Sequence, residues 1–250
     1  MKKLLFSLLA IGIMGSSAYG VETEITIRAK AHDAKFLGSS IGGVKVIVKD
    51  AYSGKVLDEG YIEGGTGNTK VIMKEPWKRG QRISDDKTAK YVAKLDIDKP
   101  TKVEIELIGP LTGGANTVKL SKEVWVVPGY NITGDGIIFE FYGLVVHPIL
   151  PAPHQFFKPG KKVKITARVD MMCGCPIKKN GLWNADDFTV KAIIERNGKF
   201  YKEVPLHFTG KTSVFEGEFT PEEKGGYRIT IIATDKQNNA GVGITSIAVK

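Results

Sequence analysis

Two thiols one residue apart, Cys173 and Cys175, are the most reactive feature of this 250-residue chain, and they are its only cysteines. They sit in Met171-Met172-Cys173-Gly174-Cys175-Pro176, directly after the alternating segment Val163–Val169. Three chemistries suit the pair. In an oxidising compartment the thiols close into a very small disulfide ring, with Gly174 supplying the backbone freedom. Such a ring serves as a static loop tie or as a redox-active dithiol, depending on its exposure and partners. Alternatively, both thiolates and the thioether of Met171 or Met172 offer soft ligands to copper as Cu(I), whereas zinc usually takes four ligands. His147 and His154 flank the proline-rich stretch that follows the first half of the chain and are candidate further ligands. Each residue also has a plain reading. Met171 continues the odd-numbered inward parity of the preceding strand and fills a core, and the histidines are surface or hydrogen-bonded residues.

A second candidate is a basic stretch between two strand-like segments, Lys74-Glu75-Pro76-Trp77-Lys78-Arg79-Gly80-Gln81-Arg82. Trp77 with Lys74, Lys78, Arg79 and Arg82 can stack on a sugar or clamp an anionic surface. Its plain reading is a long hairpin whose tryptophan packs on the sheet while its cations are solvated. Other motifs fail on context. Gly38-Ser39-Ser40-Ile41-Gly42 satisfies Gly-x-Ser-x-Gly, but a nucleophile elbow needs a strand-to-helix turn in an α/β sheet. Asp85-Asp86 and Asp96-Ile97-Asp98 lack the spacing of a calcium loop. Asn131-Ile132-Thr133 is a glycosylation sequon only where the host glycosylates exported proteins. No nucleophile and base are spaced for hydrolysis, and no catalytic residue is assigned.

The N-terminus reads as a signal peptide. Lys2 and Lys3 precede an apolar run, Leu4 to Gly15, too short to span a bilayer comfortably, and Ser16-Ser17-Ala18-Tyr19-Gly20 offers small residues before a cut after Gly20. Residues 1–20 are therefore expected to be removed, leaving 230 residues (250 − 20) with no transmembrane segment, in the periplasm or secreted. The formal charge of +9 falls to +7 without Lys2 and Lys3. That balance favours anionic partners, an acidic surface or a glycan, and an exported chain without a nucleic-acid motif is not expected to bind nucleic acid.

The elements that must position these residues are strands. Ile25, Ile27 and Ala29 alternate with Thr26 and Arg28, Val44, Val46 and Val48 with lysines and Ile47, and Val103, Ile105 and Leu107 with Glu104 and Glu106. Each pattern predicts a strand with one buried face. In the second half the expected inward sets are Val163 to Val169 at odd positions, Phe188-Val190-Ala192, Phe215-Gly217-Phe219, Tyr227 to Ala233, and Val242-Ile244-Ser246. No stretch holds a 3.6-residue apolar period, so the class is all-β. The densest break is Pro148-Ile149-Leu150-Pro151-Ala152-Pro153, where three prolines favour an extended connector or a proline-bearing edge strand. The expected organisation is an N-terminal β-sandwich-like domain over 21–147, a connector over 148–160 and a second sandwich over 161–250.

Gly225-Gly226-Tyr227-Arg228-Ile229-Thr230-Ile231, continuing to Ala233-Thr234-Asp235, resembles the sixth strand of bacterial immunoglobulin-like domains. The resemblance covers roughly residues 150 to 250, implies a sandwich, and places Tyr227 at the tyrosine corner of that fold. Gly43-Val44-Lys45-Val46-Ile47-Val48-Lys49-Asp50 with Ser53-Gly54-Lys55 and Gly65-Thr66-Gly67 resembles the opening hairpin of carboxypeptidase-regulatory or transthyretin-like (prealbumin-like) domains. Both resemblances concern fold, not function. If Val163–Val169 is the second strand, the Cys-Gly-Cys loop lies at the end where the first strand begins, with His147 and His154 nearby. The function expected is that of an accessory protein or scaffold that binds a protein partner in the cell envelope, with a copper or thiol-redox protein as the alternative.

Overall fold

The computed structural model describes residues 20–250, so the expected leader lies outside the described residues except for Gly20. Nearly every element is a strand. In the first half, β1 (Val21–Ala31), β4 (Tyr91–Ile97) and β7 (Ile132–Phe141) form a sheet of order β4-β1-β7. Facing it, β2 (Val44–Asp50), β3 (Val56–Ile62), β5 (Thr101–Gly109) and β6 (Val118–Val126) form a sheet of order β3-β2-β5-β6. The predicted alternation holds here: Ile25, Ile27, Val44, Val46, Val48, Val103, Ile105 and Leu107 are fully buried between the sheets. The solvent face of the four-stranded sheet is a lattice of opposite charges, with Glu106 held between Lys49 (3.1 Å) and Lys119 (2.7 Å).

β1 departs from expectation because both of its faces are covered. Arg28, predicted to lie on the face opposite Ile25 and Ile27, is buried with Lys30 under the segment Glu63–Lys90 between β3 and β4. That segment packs Ile72 and Ile83 on Phe36 in a small separate core. Alternation reports how a strand is pleated. It does not reveal a long connection that folds back over the polar face.

The second half is a sandwich made from one rolled sheet of order β8-β10-β13-β12-β11-β14-β15-β9. Its strands are β8 (Leu144–Leu150), β9 (Gln155–Phe157), β10 (Val163–Met171), β11 (Phe188–Arg196), β12 (Lys199–Phe208), β13 (Val214–Phe219), β14 (Gly225–Asp235) and β15 (Ala240–Val249). β8 pairs antiparallel with β10, whereas β9 pairs parallel with β15, so the first strand of the sandwich is split between its two layers. This is the strand pattern of an immunoglobulin-like sandwich. The Tyr227 hydroxyl donates to Glu223 O at 2.7 Å, the bond expected of a tyrosine corner. The Pro148–Gly160 stretch holds the end of β8, a turn with a cis Leu150–Pro151 peptide, and β9.

β15 corrects the predicted parity. Ile244 and Ser246 face solvent, and Gly241, Gly243, Thr245, Ile247 and Val249 face inward. The glycines sit inside because β8 presses on them: a Cβ on Gly241 would stand 2.3 Å from Leu144 O, and one on Gly243 2.8 Å from Val146 O. Positions that must admit a neighbouring backbone carry no hydrophobic signal.

Candidate functional site

The Cys-Gly-Cys loop closes the end of β10 where the two halves meet. Cys173 and Cys175 are joined as a disulfide with their Cα atoms 5.3 Å apart. Gly174, at φ +73°, makes the turn; its N–H donates to Met171 O at 2.7 Å, while Met171 N donates to Cys175 O at 3.1 Å. Both sulfur residues are buried, Cys173 at 1% and Cys175 at 5% exposure, and Met171 and Met172 are buried with them. The loop is bound from below by Asp170, which accepts from Ser213 Oγ at 2.6 Å and from Arg168 Nε and Nη2 at 2.5 and 3.0 Å. Ser213 Oγ in turn accepts from Ile177 N at 3.0 Å.

From above, the N-terminal half supplies the lid. A Cβ on Gly174 would meet Ile41 Cγ2 at 2.6 Å. Ile41 belongs to the Gly-Ser-Ser-Ile-Gly segment, so that motif is a packing element here. Its Ser39 Oγ accepts from Gly64 N at 2.9 Å, which fixes the turn to its own module. The Met172 methyl lies 3.1 Å from where a Cβ on Gly143 would stand, at the chain crossing between modules. Beside this contact a crevice of about 200 Å3 is lined by Ser40, Thr112, His147, Arg168, Asp170 and Gly174, among others. His147 is thus brought to the loop, opposite Arg168 in the ladder. His154 is not. β8 runs away from the loop, and His154 lies beyond it, where its N–H donates to Ser246 O at 2.9 Å and its ring meets Phe156 edge-on. It shares a shallow surface with Gly198, Gly226 and Ser246. Thiolates for a metal exist here only after the disulfide is reduced. Among the described residues no group of three or more His, Cys, Asp or Glu is placed to hold a metal ion.

Further contacts that the sequence did not signal lock the junction. Trp183 Nε1 donates to Asp33 O at 2.9 Å, Asn239 Oδ1 accepts from Gly143 N at 2.9 Å, and Asn116 Oδ1 accepts from Val242 N at 2.7 Å. His32, stacked on Tyr142 at 3.9 Å between centroids, pairs with Glu140 at 2.9 Å. Burial raises the Asp33 carboxyl, and the nearby Asp235 charge adds to that. One hydrophobic core runs from the first sandwich into the second through this joint.

The basic segment is the other candidate. A single turn of wide helix, Lys70–Lys74, starts at Asn68, whose side-chain oxygen accepts from Lys70 N at 2.9 Å. Trp77 then lies half exposed, its indole N–H donating to Val71 O at 3.1 Å and its ring 5.6 Å from Lys30 Nζ. Lys78 N and Gln81 Oε1 are 3.0 Å apart and close the tip, with Gly80 at φ +78°. Arg82 pairs with Asp86, and Lys70 with Glu75. Exposed aromatic and aliphatic side chains also lie at the end of the first sandwich away from the junction: Tyr52, Trp125, Val127, Tyr130 and Val21. Ala51 N donates to Lys102 O, and Lys102 lies opposite Trp125, so Tyr52 and the tryptophan lie on either side of β5.

No family model and no curated protein matches the sequence. Among solved structures the chain is similar to the fibronectin(III)-like modules of Clostridium thermocellum CbhA, at 13% identity, 92% coverage of this chain, 94% of that one and a TM-score of 0.30. A DUF3823 family protein from Bacteroides uniformis shows 12% identity over 91% of this chain and all of that one, with a TM-score of 0.29. Domains 4 and 5 of the S-layer protein SbsC show 10% identity over 62% of this chain and 67% of that one, with a TM-score of 0.26. At these scores the likeness carries no functional argument, and the sandwich assignment rests on the strand pairing itself.

Proposed function

We propose that this chain is an exported, non-catalytic binding protein: two sandwiches, divided near Gly143, locked into one body that presents a docking end to a protein partner in the cell envelope. The observation that carries this reading is the state of the joint. Its two sulfurs are joined to each other and buried, and they lie under Ile41 of the other module, which suits a structural tie between parts. A redox or copper centre instead needs access for a thiol or an ion. The docking end is the one that carries the exposed Tyr52, Trp125 and Tyr130 at the far side of the first sandwich, since exposed aromatics anchor protein interfaces. A removed leader and a periplasmic or secreted address complete the reading, in keeping with a disulfide that persists in oxidising compartments. Among the described residues no helix is long and apolar enough to cross a membrane.

The test compares three proteins immobilised against an envelope fraction: the unaltered chain, Cys173→Ser/Cys175→Ser, and Tyr52→Ala/Trp125→Ala/Tyr130→Ala. The serine variant is expected to retain the same captured protein and the aromatic variant to lose it. Uptake of one equivalent of Cu(I), or thiol exchange with a dithiol, that vanishes in the serine variant sinks the scaffold reading in favour of the metal or redox one.

A further inference from the structure

The insertion Glu63–Lys90 concentrates positive charge in a way the solvated faces do not. On the outer sheet of the first sandwich, Lys45, Lys49, Lys102 and Lys119 each have a carboxylate partner. At the tip of the insertion, Lys74, Lys78 and Arg79 are exposed and form no ion pair among the described residues, and Trp77 stands among them.

Two buried cations lie beneath the insertion, each with carboxylates nearby. Arg28 is wholly buried, and only its Nη1 is bonded, to Thr88 O at 2.5 Å and Ala89 O at 2.7 Å. Its Nε and Nη2 have no hydrogen-bond partner among the described residues. Lys30, two residues along the same face, is buried and donates to Ala31 O at 3.1 Å. Desolvation lowers the pKa of both, with carboxylates offsetting it in part, Asp135 for Arg28 and Glu140 for Lys30. These buried cations are therefore offset locally by carboxylates, and the uncompensated positive charge is that of the tip itself, Lys74, Lys78 and Arg79.

We propose that the Lys74–Arg79 tip is a membrane-surface contact, seating Trp77 at the interface of an anionic bilayer while Lys74, Lys78 and Arg79 meet its phosphate headgroups. One feature favours a lipid surface over an acidic polymer. Trp77 presents a half-exposed apolar ring while its N–H is already bonded inside the protein, and indole rings favour the headgroup level of a bilayer. Lys74, Lys78 and Arg79 flank that ring in sequence and are all exposed, and the hollow beside them, about 680 Å3, is open and lined by Glu75, Pro76, Lys78, Arg79, Gly80 and Gln81. Each cation near an anionic bilayer contributes enough to change affinity about five-fold.

The contact is independent of the aromatic end proposed for a protein partner, and a vesicle assay contains no protein partner, so the two readings fail separately. The experiment is co-sedimentation of residues 21–250 with phosphatidylcholine vesicles, with and without phosphatidylglycerol. Binding is expected only with the anionic lipid and is expected to fall steeply with added salt. Lys74→Gln/Lys78→Gln/Arg79→Gln should weaken it about a hundred-fold, taking three cations at about five-fold each. Trp77→Phe should largely retain binding and Trp77→Ala should weaken it. These exposed positions leave the fold intact, which circular dichroism verifies. No binding to anionic vesicles, undiminished binding by the triple variant, or tighter binding to soluble polyglutamate than to vesicles at equal ionic strength overturns the proposal.

Discussion

At Gly174 the backbone takes φ +73° while Ile41 of the other module closes to within 2.6 Å of where a Cβ would stand, so two separate costs attend any side chain there. The left-handed conformation costs a non-glycine residue about 1–2 kcal/mol, and forcing a methyl into a packed contact adds a similar amount. Gly174→Ala is therefore expected to lower stability by about 3 kcal/mol, read as a shift in the urea midpoint with little change in m. Because Ile41→Ala carries its own cavity cost, the comparison is a double-mutant cycle: on the Ile41→Ala background, Gly174→Ala should lose the steric share of its cost and keep the conformational one. A full recovery would show that the turn tolerates αL alanine and that all of the cost was contact. The cysteines on either side constrain a very short loop, for which the entropy model gives about 1–2 kcal/mol. The serine double variant should thus fold and be modestly weaker.

Among the elements, the insertion that covers β1 is pinned to β7 by one carboxylate. Asp135 on β7 accepts from Ile83 N and Ser84 N, both at 2.9 Å, and from Ser84 Oγ at 2.5 Å. Burial alone pushes its pKa up, but these bonds and the Arg28 charge outweigh burial and hold it below the usual carboxylate range. With the folded value below the unfolded one of about 3.9, the stabilisation is complete above that pH and is lost as pH falls through the folded value. Hydrogen exchange at Ile83 and Ser84, normalised for intrinsic rate, should accelerate in that acid window. Asp135→Asn should remove this titration and leave the insertion looser at neutral pH; an unchanged acid response in the variant would mean another group opens it. Nothing in the sequence of Arg28 or Asp135 announced this arrangement. The strands were legible because Val44-Val46-Val48 and Tyr227-Ile229-Ile231 write their pleat directly into hydrophobicity. A polar residue on a strand looks the same whether water or a returning loop covers it, so alternation alone points Arg28 at solvent. β15 misled for the complementary reason, its inward glycines at 241 and 243 being dictated by the close approach of β8. The cysteine loop was legible as a local pair near His147, whereas the place of His154 depended on the direction of β8.

For the molecule as a whole, the question is whether two sandwiches behave as two bodies. Domains joined by a small polar interface usually move and unfold separately, yet here apolar packing is continuous across the joint and the chain crossing itself is hydrogen-bonded. Asn239 is the hub. It is 1% exposed; its Oδ1 accepts from Gly143 N, and its Nδ2 donates to Asp235 Oδ2 at 2.9 Å and, more weakly, to His32 O at 3.5 Å. Asn239→Ala leaves the buried Gly143 N–H without its acceptor, which costs about 1–3 kcal/mol. Because that loss falls on the joint, it should weaken the coupling between sandwiches more than the sandwiches themselves. Calorimetry of the unaltered protein should therefore show one transition, with calorimetric and van't Hoff enthalpies in agreement. Asn239→Ala should split it into two, while Ile244→Ala, on the solvent face of β15, should leave it single. Two transitions in the unaltered chain would mean that the shared core does not couple the halves, and the single-body reading of the scaffold would fall with it.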